Sequence, residues 1–354
     1  MNVGSKSDIP VNDRTFYGDM NPGTFSIGKS SPVSAKGVTD NPLYQKARIF
    51  LEPSSYEFDI IDHGVYFVRL HFYPYMLGKE NLVANISFDV SLANHSLLSE
   101  FSAKQTNDLP VIEEFLVPIS DSKFSINFTP HPKSLAFVNA IEVFLHIPNG
   151  NLQFLGWQVD NPAGIKNLHT SDRPVVLHTL HRINVGGPLT NDSRWRTWKT
   201  DDAYVPDKRY QKTCPPFTGD LRYDVLSSSK TTAPDIVYNT CKELSSETSI
   251  ITWQFDVSKS TRNMIRMHFC DIVSPKGAAA SFTANFYNNV NGVMVHPIDS
   301  QGVEQLDAPF YWDYLVDSDA LALMVVTIIS KEYSKTRNAY MNGIEVFEFT
   351  KLLN

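Results

Sequence analysis

A chain of 354 residues is long enough for two ordinary domains or one large one, and 31 Lys and Arg against 38 Asp and Glu leave it a net charge of -7. That acid excess argues against a dedicated nucleic-acid surface, which needs a local excess of cations to meet phosphates. A hydrophobic content of 42% with 12% aromatics supports packed cores, and the Tyr, Phe, Val, Ile and Thr usage points to an all-β fold.

From the N-terminus, "MNVGSKSDIPVNDR" is not a charged-then-apolar leader, so the sequence as given is read as carrying no signal peptide. The next notable stretch, Gly23–Ser30 "GTFSIGKS", has the spelling of a phosphate-cradling loop. Such a loop needs a buried apolar strand before it and a helix after it, and the flanks "FYGDMNP" and "SPVSAKGVTDNP" supply neither. A polar surface loop is expected there.

Strands are predicted from short-period alternation. In "GVYFVRLHFYP", Tyr66, Val68, Leu70 and Phe72 share one face, and Phe67, Arg69 and His71 share the other. Further strands are expected within Asn81–Leu92, Lys123–Pro130, Leu135–Ile147, Thr252–Val257, Met264–Cys270, Ala280–Asn289 and Leu321–Ile329. The longest apolar run, Ala320–Ile329, is about half of what a membrane-spanning helix needs, so no membrane span is expected. Many short strands between turn signals imply a β-sandwich or jelly roll.

The paired acids Glu113–Glu114 and Asp201–Asp202 are expected to alternate faces on strands rather than form a carboxylate dyad. His178 and His181 are three apart, but they lead into a strand with no acid between them and are read as structural. The three cysteines form no C-x-x-C pair, and no nucleophile elbow occurs. No enzyme activity, metal or cofactor is expected.

Internal repetition is the most informative feature. "VRLHFYP" at Val68–Pro74 returns as "IRMHFCD" at Ile265–Asp271, and "NAIEVF" at Asn139–Phe144 as "NGIEVF" at Asn342–Phe347. "NVGSKS" from Asn2 returns as "NVGGPL" from Asn184, and "LYQKAR" from Leu43 as "VYNTCK" from Val237. The offsets in chain order, 182, 194, 197 and 203, grow steadily and keep one order, as two copies of a module require. Expected boundaries are 1–147 for the first copy, 148–180 for a linker that packs in part and buries Trp157, 181–349 for the second copy, and 350–354 for a tail.

Asp192–Val205 gathers Trp195, Trp198 and Tyr204 with Arg194, Arg196, Lys199, Asp201 and Asp202. That mixture suits stacking on sugar or peptide, or packing over a sandwich edge. Tyr73 and Tyr75 are the matching candidates in the first copy. N-x-[ST] sequons stand at Asn85, Asn94, Asn127 and Asn191.

With these motifs in family order, the chain resembles the tandem malectin-like extracellular region of plant Feronia-type receptor kinases. The carrying stretches are "ARIF", "FVRLHFYP", "FSAKQT", "FTP" and "AFVNAIEVF", then "RINVGG", "RWRTW", "DDAYV", "VYNTC", "IRMHFCD" and "MNGIEVFEF". The resemblance implies two malectin-like β-sandwiches on the extracellular face of the plasma membrane or in the apoplast, with the span and kinase outside this chain. It also implies recognition of a secreted peptide of the rapid-alkalinisation-factor type together with a GPI-anchored co-receptor. The alternatives are a module for cell-wall polysaccharide such as pectin, and a kinase-less product without signalling of its own.

Animal malectin binds a glucose disaccharide, but its binding residues are not matched one by one here. Two departures stand out: "NVGS" where the family commonly has "NCGG", and Phe16 where it usually has Trp after Arg. If the chain is exported, Cys214 and Cys241 are the expected disulfide, with Cys270 a small buried hydrophobe on its strand; in a cytosolic fragment all three would be thiols.

Overall fold

The computed structural model describes residues 1–21, 23, 25–34, 39–74, 76–77, 80–81, 86–102, 109–148, 156–160, 164–167, 175–223, 226, 228–245, 250–287, 293–331 and 337–353. It is built from strands, with one four-residue α-helix, Asp235–Tyr238. The chain divides into two compact units, the first comprising Met1–Gln153, Asp172–His178 and Thr350–Asn354, the second Phe154–Ser171 and Thr179–Phe349.

In the first unit the strand Gly64–Phe72 lies between Val111–Ile119 and Ala140–Pro148, antiparallel to both. Facing it across the core, Ser54–Asp59, Lys123–Pro130, Phe88–Leu92 and His95–Phe101 pair in that order. The predicted alternation holds: Val68, Leu70 and Phe72 enter a core with Phe88, Phe115, Phe128 and Phe137. Each such phenylalanine contributes about 1.5–3 kcal/mol by leaving water. Arg69 and His71, on the opposite face, are buried too, so this strand has no solvent face.

The second unit repeats the plan. Arg262–Phe269 lies between Phe310–Asp317 and Gly343–Phe349, and Ile250–Asp256, Leu323–Ser330 and Phe282–Phe286 form the facing sheet. Its core gathers Trp253, Phe255, Ile265, Phe269, Phe282 and Tyr314. The strand Gly156–Asp160 adds to Phe310–Asp317 in parallel; the side chain of Trp157 lies outside what is described.

Three local expectations are corrected. Leu135–Ile147 is two strands, Ala136–Val138 and Ala140–Pro148, broken at Asn139. The Asn139 side chain explains the break: its Oδ1 accepts from the Tyr73 N–H at 2.7 Å and its Nδ2 donates to the Lys46 carbonyl at 2.9 Å. The stretch "GTFSIGKS" is not simply a loop, because Phe25–Ile27 and Ser31–Ser34 are strands on either side of a short turn. Gly28 N–H reaches the Ser55 carbonyl there, and Lys29 pairs with Glu52 on the surface. A strand where a phosphate loop needs a helix removes the anion-binding N-terminus. Finally, Asp201–Asp202 follow the strand Thr197–Thr200 in a turn, so one is buried and the other exposed for a different reason than strand alternation.

Candidate functional site

The repeated motifs carry a repeated polar cluster. In the first unit Tyr44 Oη lies 3.0 Å from His71 Nδ1, and His71 Nε2 lies 2.7 Å from Glu142 Oε1. Because the carboxylate only accepts, Nε2 must donate, and neutral Nδ1 then accepts from the tyrosine hydroxyl. Arg69 donates to Glu114 at 2.6 Å, and both Arg69 and Arg14 pair with Glu142. Burial alone would raise the Glu142 pKa, but the hydrogen bond from His71 and the Arg69 and Arg14 charges outweigh it and hold it at about 2. Burial pushes His71 down, keeping the ring neutral.

The second unit repeats the tyrosine, histidine and glutamate and pairs its arginines differently. Tyr238 Oη lies 2.9 Å from His268 Nδ1, His268 Nε2 3.0 Å from Glu345 Oε2, and Arg182 Nε 2.7 Å from Glu345 Oε1. Arg266, the counterpart of Arg69, makes a two-pronged pair with Asp313 at 2.7 and 2.8 Å. Asn342 does what Asn139 does, accepting from Cys270 N–H at 2.7 Å and donating to the Thr240 carbonyl at 2.8 Å.

A tyrosine–histidine–glutamate chain invites a catalytic reading. Here the residues are sealed from solvent, and burial pushes both tyrosines up, away from nucleophilic character. The clusters act as buried fasteners. Sequence reasoning passed over Arg69, His71, Glu142 and their partners, although ionisable residues recurring within apolar strands were the available signal.

The aromatic segment of the second unit is less open than its composition promised. Trp198 has no exposed surface: its Nε1–H donates to Asp192 at 3.0 Å, Arg182 and Arg196 lie over its ring, and His268 meets it edge-on. Asp201 is buried as well, accepting from Gly186 N–H at 3.1 Å and Trp253 Nε1–H at 3.1 Å and pairing with Lys242 at 3.2 Å. Tyr73 in the first unit is buried in a stack on Tyr44, ring centroids 5.5 Å apart. In this conformation Trp198, Asp201 and Tyr73 therefore offer no ligand surface, because the hydrogen bonds and packing that hold them are internal.

Trp195 and Tyr204 are half-buried and Asp202 is exposed, and these three remain at the surface. Trp195 sits at a positive φ of 57° in a turn organised by Asp192, which accepts from the Arg194 and Arg196 N–H groups. Tyr204 packs on Phe255 and His181, and burial followed by the Asp256 charge raises its hydroxyl pKa. Tyr75 and Asn85 lie outside the described residues. Asn94 and Asn191 are exposed, whereas Asn127 is half-buried within its strand.

Cys214 and Cys241 are bridged, with Cα atoms 5.2 Å apart, and Cys270 is a buried free thiol. His178 pairs with Glu113 at 2.7 Å, and His181 with the Asp256 carbonyl at 2.7 Å. Among the described residues, no three of His, Cys, Asp and Glu are grouped to hold a metal.

Comparison with known proteins fits this duplicated architecture. The malectin-like domain family matches residues 4–349. A protein described as a probable receptor-like protein kinase of Arabidopsis thaliana is 32% identical over 371 residues, covering 98% of this chain and 41% of its own length. The chain thus spans about four-tenths of the length of the curated relatives it matches. The ANXUR2 extracellular domain from Arabidopsis thaliana superposes with a TM-score of 0.83 at 24% identity, covering 99% of this chain and 96% of that one. A crystal structure of the plant peptide RALF23 in complex with FER and LLG2 matches with a TM-score of 0.74 at 25% identity, over 98% of this chain and 94% of that chain.

The solved structures that share this fold are extracellular domains, and the relatives named as receptor-like kinases extend well beyond the part that is matched. With two copies of one sandwich, a shared buried cluster in each and a family match over nearly its whole length, the chain belongs to the malectin-like family.

Proposed function

We propose that the chain recognises a secreted signalling peptide of the rapid-alkalinisation-factor type, together with a GPI-anchored co-receptor, on the extracellular face of the plasma membrane. The observation that carries this reading is its likeness over 98% of its length to the structure of a complex of RALF23 with FER and LLG2. The buried clusters support it indirectly: they make rigid scaffolds, and rigid scaffolds present loops for binding. Among the described residues no helix is long and apolar enough to cross a membrane.

Trp195, Asp202 and Tyr204 are the surface residues assigned to the contact, since half-buried aromatics with one polar end are favoured at interfaces. Calorimetry with peptide and co-receptor together tests the reading. Saturable ternary binding is expected, weakened by Trp195→Ala and Tyr204→Ala. Undiminished binding by the double variant would remove this surface from the reading. Absence of any peptide affinity, with salt-sensitive binding to pectin fragments instead, would replace it with the polysaccharide reading.

A further inference from the structure

In the second unit, Lys212, Ser245, Val273, Pro275, Ala278 and Arg337 are among the residues around an open cavity of about 480 Å³. Its charges do not balance. Glu243, on the wall, is already matched: Lys212 lies 3.1 Å from one carboxylate oxygen and Asn338 Nδ2 donates to the other at 2.6 Å. Arg337 is exposed and, among the described residues, has no hydrogen bond or ion pair; its backbone is held at φ 46°, in the left-handed region.

Ser245 supplies a second unfilled group. Its Oγ is buried without a hydrogen-bond partner, although its backbone N–H is satisfied by the Tyr210 carbonyl at 3.2 Å. A buried hydroxyl left unpaired costs about 1–3 kcal/mol. A ligand oxygen that accepts from it recovers part of that cost, and an unpaired guanidinium selects for a carboxylate, which it grips with two parallel N–H donors.

Apart from Ser274 the remaining wall is aliphatic, and among the lining residues there is no aromatic ring, the face on which a sugar would stack. We propose that this cavity binds an acidic peptide segment, one carboxylate meeting Arg337 and the Ser245 hydroxyl while a neighbouring aliphatic side chain rests on Val273, Pro275 and Ala278. The inference goes beyond the receptor reading and does not depend on it, since it concerns a different set of residues and a ligand chosen by charge.

The test is fluorescence anisotropy of the whole chain with a short labelled peptide that alternates glutamate with valine. Saturable binding is expected, weakened about tenfold by Arg337→Gln, restored only in part by Arg337→Lys, which keeps the charge but not the two-pronged grip, and reduced at high salt as screening of an exposed pair requires. The counterpart peptide with glutamine for glutamate is expected not to bind. Because Arg337 is exposed and unpaired, its variants keep the wild-type melting temperature, and any loss reports on the site. No binding, equal binding of the glutamine peptide, or equal binding by Arg337→Gln would overturn the proposal. Displacement by a galacturonate oligomer that itself needs Arg337 and outcompetes the peptide would overturn it in favour of a saccharide site. Retained co-receptor-dependent peptide binding by Arg337→Gln would separate this cavity from the surface around Trp195 and Tyr204.

Discussion

His71 gives its Nε2–H to Glu142 at 2.7 Å, and His268 repeats the bond to Glu345 at 3.0 Å, 268 being 71 plus 197 and 345 being 142 plus 203. The same offsets separate the repeated motifs of the sequence, so the two clusters are one inherited arrangement rather than two coincidences. Each glutamate is ionised in a nearly dry environment, which is tolerated because histidine and arginine surround it.

Removing one of these carboxylates strands the others. Glu345→Ala takes away the carboxylate to which Arg182 and His268 both donate in a buried site, and a loss of about 3–5 kcal/mol is expected. Chemical denaturation followed by tryptophan fluorescence measures it. A loss below about 1 kcal/mol would show that water replaces the carboxylate.

Acid should act on the same bonds. Glu142 titrates at about 2 in the folded chain against an ordinary 4.5, so its contribution is present above pH 4.5 and is lost as the pH falls towards 2. His71 has the same sign: its folded pKa lies below 6.5, so protons favour the unfolded chain as the pH drops below that value. Glu142 alone accounts for up to about 3 kcal/mol over its window. Melting temperature against pH should fall most steeply from 4.5 downward, and Glu142→Gln should flatten that fall while lowering the plateau at neutral pH.

The disulfide closes a loop by joining Cys214 to Cys241, 27 positions apart in the chain. Opening such a loop costs about 3–4 kcal/mol in chain entropy. Thermal scans with and without a reductant should show the difference, and mass analysis after alkylation of unfolded, unreduced chain should count one modified cysteine, Cys270. Three modified cysteines would mean that the bridge does not form.

Gly186 adopts φ 69°, and a Cβ placed on it would stand 2.2 Å from the Cys241 carbonyl oxygen. Gly186→Ala therefore combines backbone strain with a backbone collision, and a loss of about 3 kcal/mol or more is expected. Gly4 is its counterpart, at φ 71° with the Ala47 oxygen 2.6 Å away. Circular dichroism melts of both variants check the pair.

Phe16 and Trp198 occupy corresponding places, each meeting its unit's histidine edge-on. Trp198 needs an acceptor for its N–H and has Asp192 at 3.0 Å. The matching position in the first unit, opposite Arg14 as Asp192 is opposite Arg196, is Val11, whose side chain accepts nothing. Phe16→Trp should accordingly destabilise by about 1–2 kcal/mol despite restoring the family's usual residue, as a denaturation midpoint would show.

Strand existence and duplication were legible because apolar alternation and spaced repeats survive in one dimension. The breaks at Asn139 and Asn342 were not, since they depend on side-chain bonds to Tyr73 and Cys270 across the fold. The aromatic segment misled for a related reason: Trp198 and Asp201 look like recognition residues until the partners that bury them, Asp192, Lys242 and Trp253, are seen in space. Charge pairing such as Arg69 with Glu114 joins residues far apart in the chain, and only strand register brings them opposite.

Asp19 and Asp201 close on different companions. The first holds Arg48 at 2.9 Å and the Tyr56 hydroxyl at 2.6 Å, the second Lys242 at 3.2 Å and the Trp253 indole at 3.1 Å. Evolution has thus left, within a single polypeptide, two working answers to one burial problem, each a ready-made control for the other. Exchanging whole trios between the halves should be tolerated where exchanging one member is not, so engineers of this scaffold can transplant residues in sets already vetted by the molecule itself.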